Sequence, residues 1–193
     1  MPIKLKGATS GDVTLDVTAV AGTNTLTLPA KTGNLITSAD TATVTQTMIG
    51  AGVAGNGPAF GAYQSSAQTA LAAGTWTKIV FQTEEFDTAS CFDNATNYRF
   101  TPNVAGYYQI NGAAQINGST SGFAASIYKN GTTLKTGTYV SATATQPLSV
   151  VSSIVYLNGS TDYVELWGYS VSSLATFASQ SATYFNGFLA RAA

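Results

Sequence analysis

The stretch FQTEEFDTASCFDNATNYRFTPNVAGYYQING, residues 81–112, decides the fold. It holds no helix-forming pattern. Its last segment, Gly106-Tyr107-Tyr108-Gln109-Ile110-Asn111-Gly112, alternates along the chain, as a strand with one covered face does. The large rings Phe81, Phe92, Phe100 and Tyr108 punctuate it. Between them lie the densest acidic group of the chain, Glu84, Glu85, Asp87 and Asp93, and its single cysteine, Cys91.

The same reading extends outward. Upstream, Trp76-Thr77-Lys78-Ile79-Val80-Phe81 is β-branched and aromatic. Downstream, Ala124-Ala125-Ser126-Ile127-Tyr128 and Thr161-Asp162-Tyr163-Val164-Glu165-Leu166-Trp167 alternate again. Lys129-Asn130-Gly131 follows the first of these runs. Asn-Gly is the strongest two-residue hairpin signal because both central positions accept positive φ, and Asn158-Gly159 repeats it. Short strands at this spacing with glycine turns predict an all-β sandwich or jelly roll from about residue 58 to the end. Residues 64–73 are ambiguous.

Ahead of this domain the composition changes twice. Residues 1–40 read as short strands and turns. Asp12-Val13-Thr14-Leu15-Asp16-Val17-Thr18 alternates, and Thr25-Leu26-Thr27-Leu28 does so again before Pro29. Two or three short strands are marginal alone in water, so this β-rich arm needs a partner surface. Residues 41–57 are small, uncharged and glycine-rich and read as a linker, with a short helix compatible over 41–48.

Charged residues make up only 9% of the 193 positions, yet 10 Tyr, 9 Phe and 2 Trp against 5 Pro argue for packed structure rather than disorder. Eight scattered cations and a net charge of −1 form no stripe for nucleic acid or an anionic membrane. No apolar run is long enough to span a bilayer, and Met1 to Lys6 lacks the hydrophobic region of a secretory signal. A lone cysteine leaves stability to packing, and a sparsely charged domain of this kind often gains it by oligomerising.

The 81–112 stretch resembles the signature of the complement C1q/tumour-necrosis-factor superfamily of trimeric jelly rolls. Phe81, Asp87, Phe92, Phe100, Gly106 and Tyr108 follow its spacing, except that seven residues rather than six separate Phe92 from Phe100. Ile110 and Gly112 stand where the family usually carries aromatics. Ile127 to Gly131, Tyr156 to Val164 and Tyr184 to Leu189 resemble its central hairpin, a later turn and strand, and its final strand. The resemblance covers residues 58–193 and implies that Phe81, Phe92, Phe100 and Tyr108 fill the core between two sheets, and that the domain forms a homotrimer about a three-fold axis. A second resemblance concerns the opening. Leu5 to Leu15, continuing through Leu26-Thr27-Leu28-Pro29 to Thr32-Gly33-Asn34-Leu35, is similar to the openings of bacteriophage tail-fibre and other virion proteins.

Catalysis finds little footing. The chain has no His, which removes the commonest general base and zinc ligand, and leaves Cys91 without an activating partner. Cys91 is therefore expected as a small hydrophobe in or near the core. The acidic group admits a glycosidase pair or a calcium site. However, adjacent Glu84 and Glu85 would point to opposite faces of a strand, and calcium-loop spacing is missing, so a solvated loop is the plainer expectation. Trp167, Tyr169, Tyr139 and Tyr184 could form a carbohydrate platform, with core or subunit interface as the commoner use of such rings. The Asn-Gly-Ser/Thr triplets at Asn117, Asn130 and Asn158 read as turns, and the glycines from Gly50 to Gly57 lack the Lys-Ser/Thr of a phosphate loop. No residue is assigned as catalytic, cofactor-binding or metal-ligating.

The expectation is a non-enzymatic bacteriophage virion surface protein. Its arm would attach to tail, baseplate or major capsid protein. Its outward knob would adsorb to a host surface glycan or protein, as a tail fibre or spike does. The alternatives are a capsid decoration protein or head fibre, and a free soluble trimeric binding module.

Overall fold

The computed structural model describes residues 3–6, 9, 12–15, 57–141 and 144–193. The chain divides into two units, Met1–Gly52 and Val53–Ala193. In the first, β1 (Ile3–Lys6) and β2 (Asp12–Leu15) pair antiparallel, with Ile3 opposite Leu15 and Lys6 opposite Asp12. This is the strand expected to begin at Asp12. The one expected at Thr25–Leu28, the helix at 41–48 and all of the linker but Gly57 lie outside the described residues.

The second unit is a two-sheet all-β sandwich of the jelly-roll type. One sheet runs in the order β13 (Leu148–Asn158), β8 (Ala105–Asn117), β16 (Tyr184–Ala192), β3 (Ala59–Tyr63), β5 (Thr83–Asp87), with β15 (Ala175–Thr176) on the end of β8. The other runs β11 (Thr132–Thr136), β10 (Phe123–Lys129), β14 (Val164–Ser170), β7 (Arg99–Phe100), β6 (Phe92–Asp93), with β4 (Trp76–Lys78) also on β14. A small pair, β9 (Ser119–Thr120) and β12 (Ala144–Thr145), stands apart from both.

The expected rings meet between the sheets. Phe81, Phe100 and Tyr108 are fully buried and Phe92 nearly so. Phe60 lies among them, stacked 4.3 Å from Phe100 and 5.0 Å from Phe92, with Phe185 edge-on at 5.1 Å. Full burial of each such ring stabilises by roughly 1.5–3 kcal/mol, and their mutual packing adds to it. Tyr108 keeps its hydroxyl satisfied by donating to the Val104 carbonyl at 2.7 Å, and burial pushes its pKa up to about 12.

The Asn130-Gly131 reading holds. Both residues have positive φ, 51° and 76°, and they join β10 to β11 in one hairpin. Asn158-Gly159 is different. It links β13 to β14, which belong to opposite sheets, so it makes a crossover rather than a hairpin. The Asn158 side chain accepts hydrogen bonds from the backbone N–H of Ser160, Thr161 and Asp162, and this local turn delays the next strand to Val164.

The run from Trp76 to Phe81 is also shorter as a strand than its composition predicts, ending at Lys78. The Ile79 N–H still donates to the Leu166 carbonyl, and glutamine side chains take over at Val80. Gln68 donates to the Lys78 carbonyl and accepts from the Val80 N–H, while Gln64 donates to the Val80 carbonyl. Gln82 answers from the other side, donating to Ser66 and accepting from the Ser65 N–H. The ambiguous segment 64–73 is therefore non-helical, tied down by these amide side chains and by single backbone bonds such as Gln64 N–H to the Thr183 carbonyl and Leu71 N–H to the Leu174 carbonyl.

Candidate functional site

The β13–β8–β16–β3–β5 sheet buries one face and leaves an apolar face open. Along β13 the alternation sends Val151, Val155 and Leu157 into the core and Leu148, Val150, Ile154 and Tyr156 outward. Ile154 is 62% exposed, Phe188 on β16 51% and Tyr107 on β8 47%, so their burial energy is uncollected in the single chain. Register places them side by side: Tyr156 faces Tyr107, their rings 5.5 Å apart, while Ile154 faces Gln109, which in turn faces Phe188. At one end, Tyr107, Ile154 and the residues from Ala190 to Ala193 line an open groove of about 700 Å³.

A polar ladder crosses the middle of this face. Gln109 donates to the side-chain oxygens of Asn111 (3.0 Å) and Ser152 (2.8 Å), Ser152 donates to Asn111 (2.8 Å), and Asn111 donates to Asn186 (3.0 Å). Apolar side chains on either side of a satisfied polar strip resemble a domain core cut in half, with hydrogen-bonding groups that fix how the halves meet.

The acidic group is dispersed by its own partners. Glu84, Glu85 and Asp87 lie on β5, a strand rather than the solvated loop expected, and a bulge between Gly61 and Ala62 of β3 sets Glu85 out of register. Glu85 accepts from Gln180 at 2.6 Å. Burial, and then the neighbouring Asp87, push the Glu84 carboxyl above its ordinary range. Asp87 accepts the backbone N–H of Ala89 and Phe92, and Asp93 those of Ala95, Thr96 and Asn97. Both are turn-formers. Among the described residues no three His, Cys, Asp or Glu gather as a metal set. Cys91 sits in the core cluster as expected, its thiol pushed up by burial.

The four proposed platform rings do not share a surface. Trp167 and Tyr169 lie on β14, Tyr184 on β16 in the opposite sheet, and the Tyr139 hydroxyl packs on Gly122. Sequence reasoning did not single out the open face, although the period-two pattern of β13 contains it. Both faces of that strand are apolar, and periodicity cannot say which one meets the core.

No protein-family model matches the chain, and no curated protein matches it. Solved structures do. The globular domain of the zebrafish complement 1qA protein superposes with a TM-score of 0.55 at 17% identity, covering 71% of this chain and 99% of that one. Murine APRIL gives 0.55 at 10% identity over 68% of this chain and 98% of its own. The Eiger TNF of S. frugiperda gives 0.56 at 9% identity over 71% and 95%. The fold is therefore that of the C1q/TNF jelly roll.

Proposed function

We propose that this chain is a non-enzymatic homotrimeric binding and structural module, assembled through the open face of the β13–β8–β16–β3–β5 sheet. The observation that carries the reading is that face itself. Ile154, Tyr107, Tyr156 and Phe188 on one side and Val150 on the other flank a hydrogen-bonded polar ladder, a pattern suited to a second copy of the same chain. The C1q/TNF-like fold supports closure around a three-fold axis. At full burial each of these side chains would contribute roughly 1.5–3 kcal/mol.

The module's setting is a virion surface in this proposal. Support comes from the opening, Leu5 to Leu35, with its similarity to bacteriophage tail-fibre and virion proteins, and from a β-rich arm that needs a partner surface. The arm attaches to the particle and the knob projects for adsorption. Labelled antibody and electron microscopy on intact particles test this. Label at the tail tip is expected. Label spread over the head would replace adsorption with capsid decoration, and no label on any particle would leave a free binding module.

A further inference from the structure

The second sheet carries an aromatic cluster on its outer face that neither core nor the proposed trimer contact accounts for. Register alone assembles it. Trp76 on β4 lies opposite Tyr169 on β14, Lys78 opposite Trp167, and Tyr128 on β10 opposite Glu165. The rings touch in sequence: Tyr169 to Trp76 at 5.5 Å, Trp76 to Tyr128 at 6.1 Å, and Tyr128 stacked on Trp167 at 4.5 Å with 15° between planes. Tyr128 is nearly buried at the centre, while Trp76, Trp167 and Tyr169 keep part of their surface in water.

The polar groups beside the rings orient Trp167. Glu165, 3% exposed, pairs with Lys78 at 2.6 Å and accepts the Trp167 indole N–H at 3.0 Å. Lys78 also donates to the Asn97 carbonyl at 3.1 Å. The indole is fixed in orientation, and the two charges cancel each other locally. Tyr128 covers one face of Trp167, so what the surface offers to a ligand is the partly exposed ring area of Trp76, Trp167 and Tyr169 beside an ion pair whose charges are matched. It suits a ligand with weakly positive C–H groups on one side and hydroxyls around its edge, which is the chemistry of a neutral pyranose ring.

We infer that Trp76, Tyr128, Trp167 and Tyr169 form a stacking platform for neutral glycan chains, so that recognition lies on the outer sheet of the knob. The inference uses the proposed trimer only in that the opposite sheet is then covered and this one is not. Trp76 and Trp167 contribute the stacking faces, Tyr128 is the spacer between them, and Glu165 with Lys78 positions Trp167.

The chain contains two tryptophans and both belong to the platform, so intrinsic tryptophan emission reports on it alone. The full chain is titrated with maltoheptaose, cellohexaose and mannohexaose as probes, and its mass is measured by light scattering in the same sample. The expected result is a saturable emission change with at least one probe. By calorimetry, Trp76→Ala and Trp167→Ala should each weaken binding about ten-fold or more, while Trp167→Phe retains most of it and Tyr139→Ala all of it. No saturable response to any probe overturns the platform, as does binding indifferent to both alanine variants. A monomer that binds sinks the trimer and leaves the platform; a trimer that binds none of the probes does the reverse.

Discussion

Asp93 shows how much a single half-buried side chain contributes here. Its carboxylate accepts three consecutive backbone N–H groups, from Ala95 (3.0 Å), Thr96 (2.8 Å) and Asn97 (3.1 Å), and the Asn97 amide at 2.7 Å. These donors hold its pKa down to about 2, below the ordinary 3.8. A carboxyl lowered by folding stabilises the fold fully above its unfolded pKa and loses that contribution as pH falls through the folded value. The stabilisation is therefore present at neutral pH and lost between about 3.8 and about 2. Asp162 acts in the same direction through hydrogen bonds from Lys129 and Asn130. Urea midpoints measured from pH 7 to pH 2 should show Asp93→Asn less stable at neutral pH and flatter on the acid limb. An acid limb as steep as the unaltered chain's would refute the role given to this turn. Aspartate before a turn is visible in sequence. The convergence of three amides on one carboxylate is not, because it depends on where the following residues bend.

Strands and their register make the next scale. Gly106 opens β8 against the end of β16, where an added Cβ would stand 2.5 Å from the Arg191 carbonyl oxygen and 2.6 Å from Leu189 Cδ1. The backbone oxygen cannot swing aside as a side chain can, so Gly106→Ala should cost about 1–3 kcal/mol by chemical denaturation. An unchanged midpoint would mean that the two strands do not approach as closely as described. Where alternation was unambiguous, as in Ala124 to Tyr128, the sequence located the strand and its hairpin. It overran where side chains replaced backbone pairing. Trp76 to Phe81 has strand composition throughout, yet beyond Lys78 backbone pairing continues at Ile79 and then gives way at Val80 to Gln64 and Gln68, whose amides are ordinary polar residues to any periodicity rule. Asn158-Gly159 was misread for a related reason: the dipeptide specifies a turn, and only the packing of two sheets decides whether that turn makes a hairpin or a crossover.

For the whole molecule, short alternating strands with glycine turns, together with the resemblance of residues 81–112 to the C1q/TNF signature, anticipated the jelly roll, and Phe81, Phe92, Phe100 and Tyr108 do meet between its two sheets. Phe60 escaped notice, a lone ring between small residues whose importance appears only in its stacking on Phe92 and Phe100. Of the two proposed surfaces, the open face escaped and the outer-sheet rings were found only in part, through Trp167 and Tyr169, for a deeper reason. Both faces of β13 are apolar, and the rings of the outer sheet come from strands separated by as many as ninety residues of chain. Their grouping is a property of register, which no local pattern records. Self-association is proposed for one sheet and recognition for the other, and self-association is the central claim. Light scattering of the full chain at micromolar concentration tests it directly. The prediction is three times the 19.8 kDa chain mass, falling to a single folded chain in Ile154→Glu. A native mass of one chain, or a variant that stays trimeric, would contradict it.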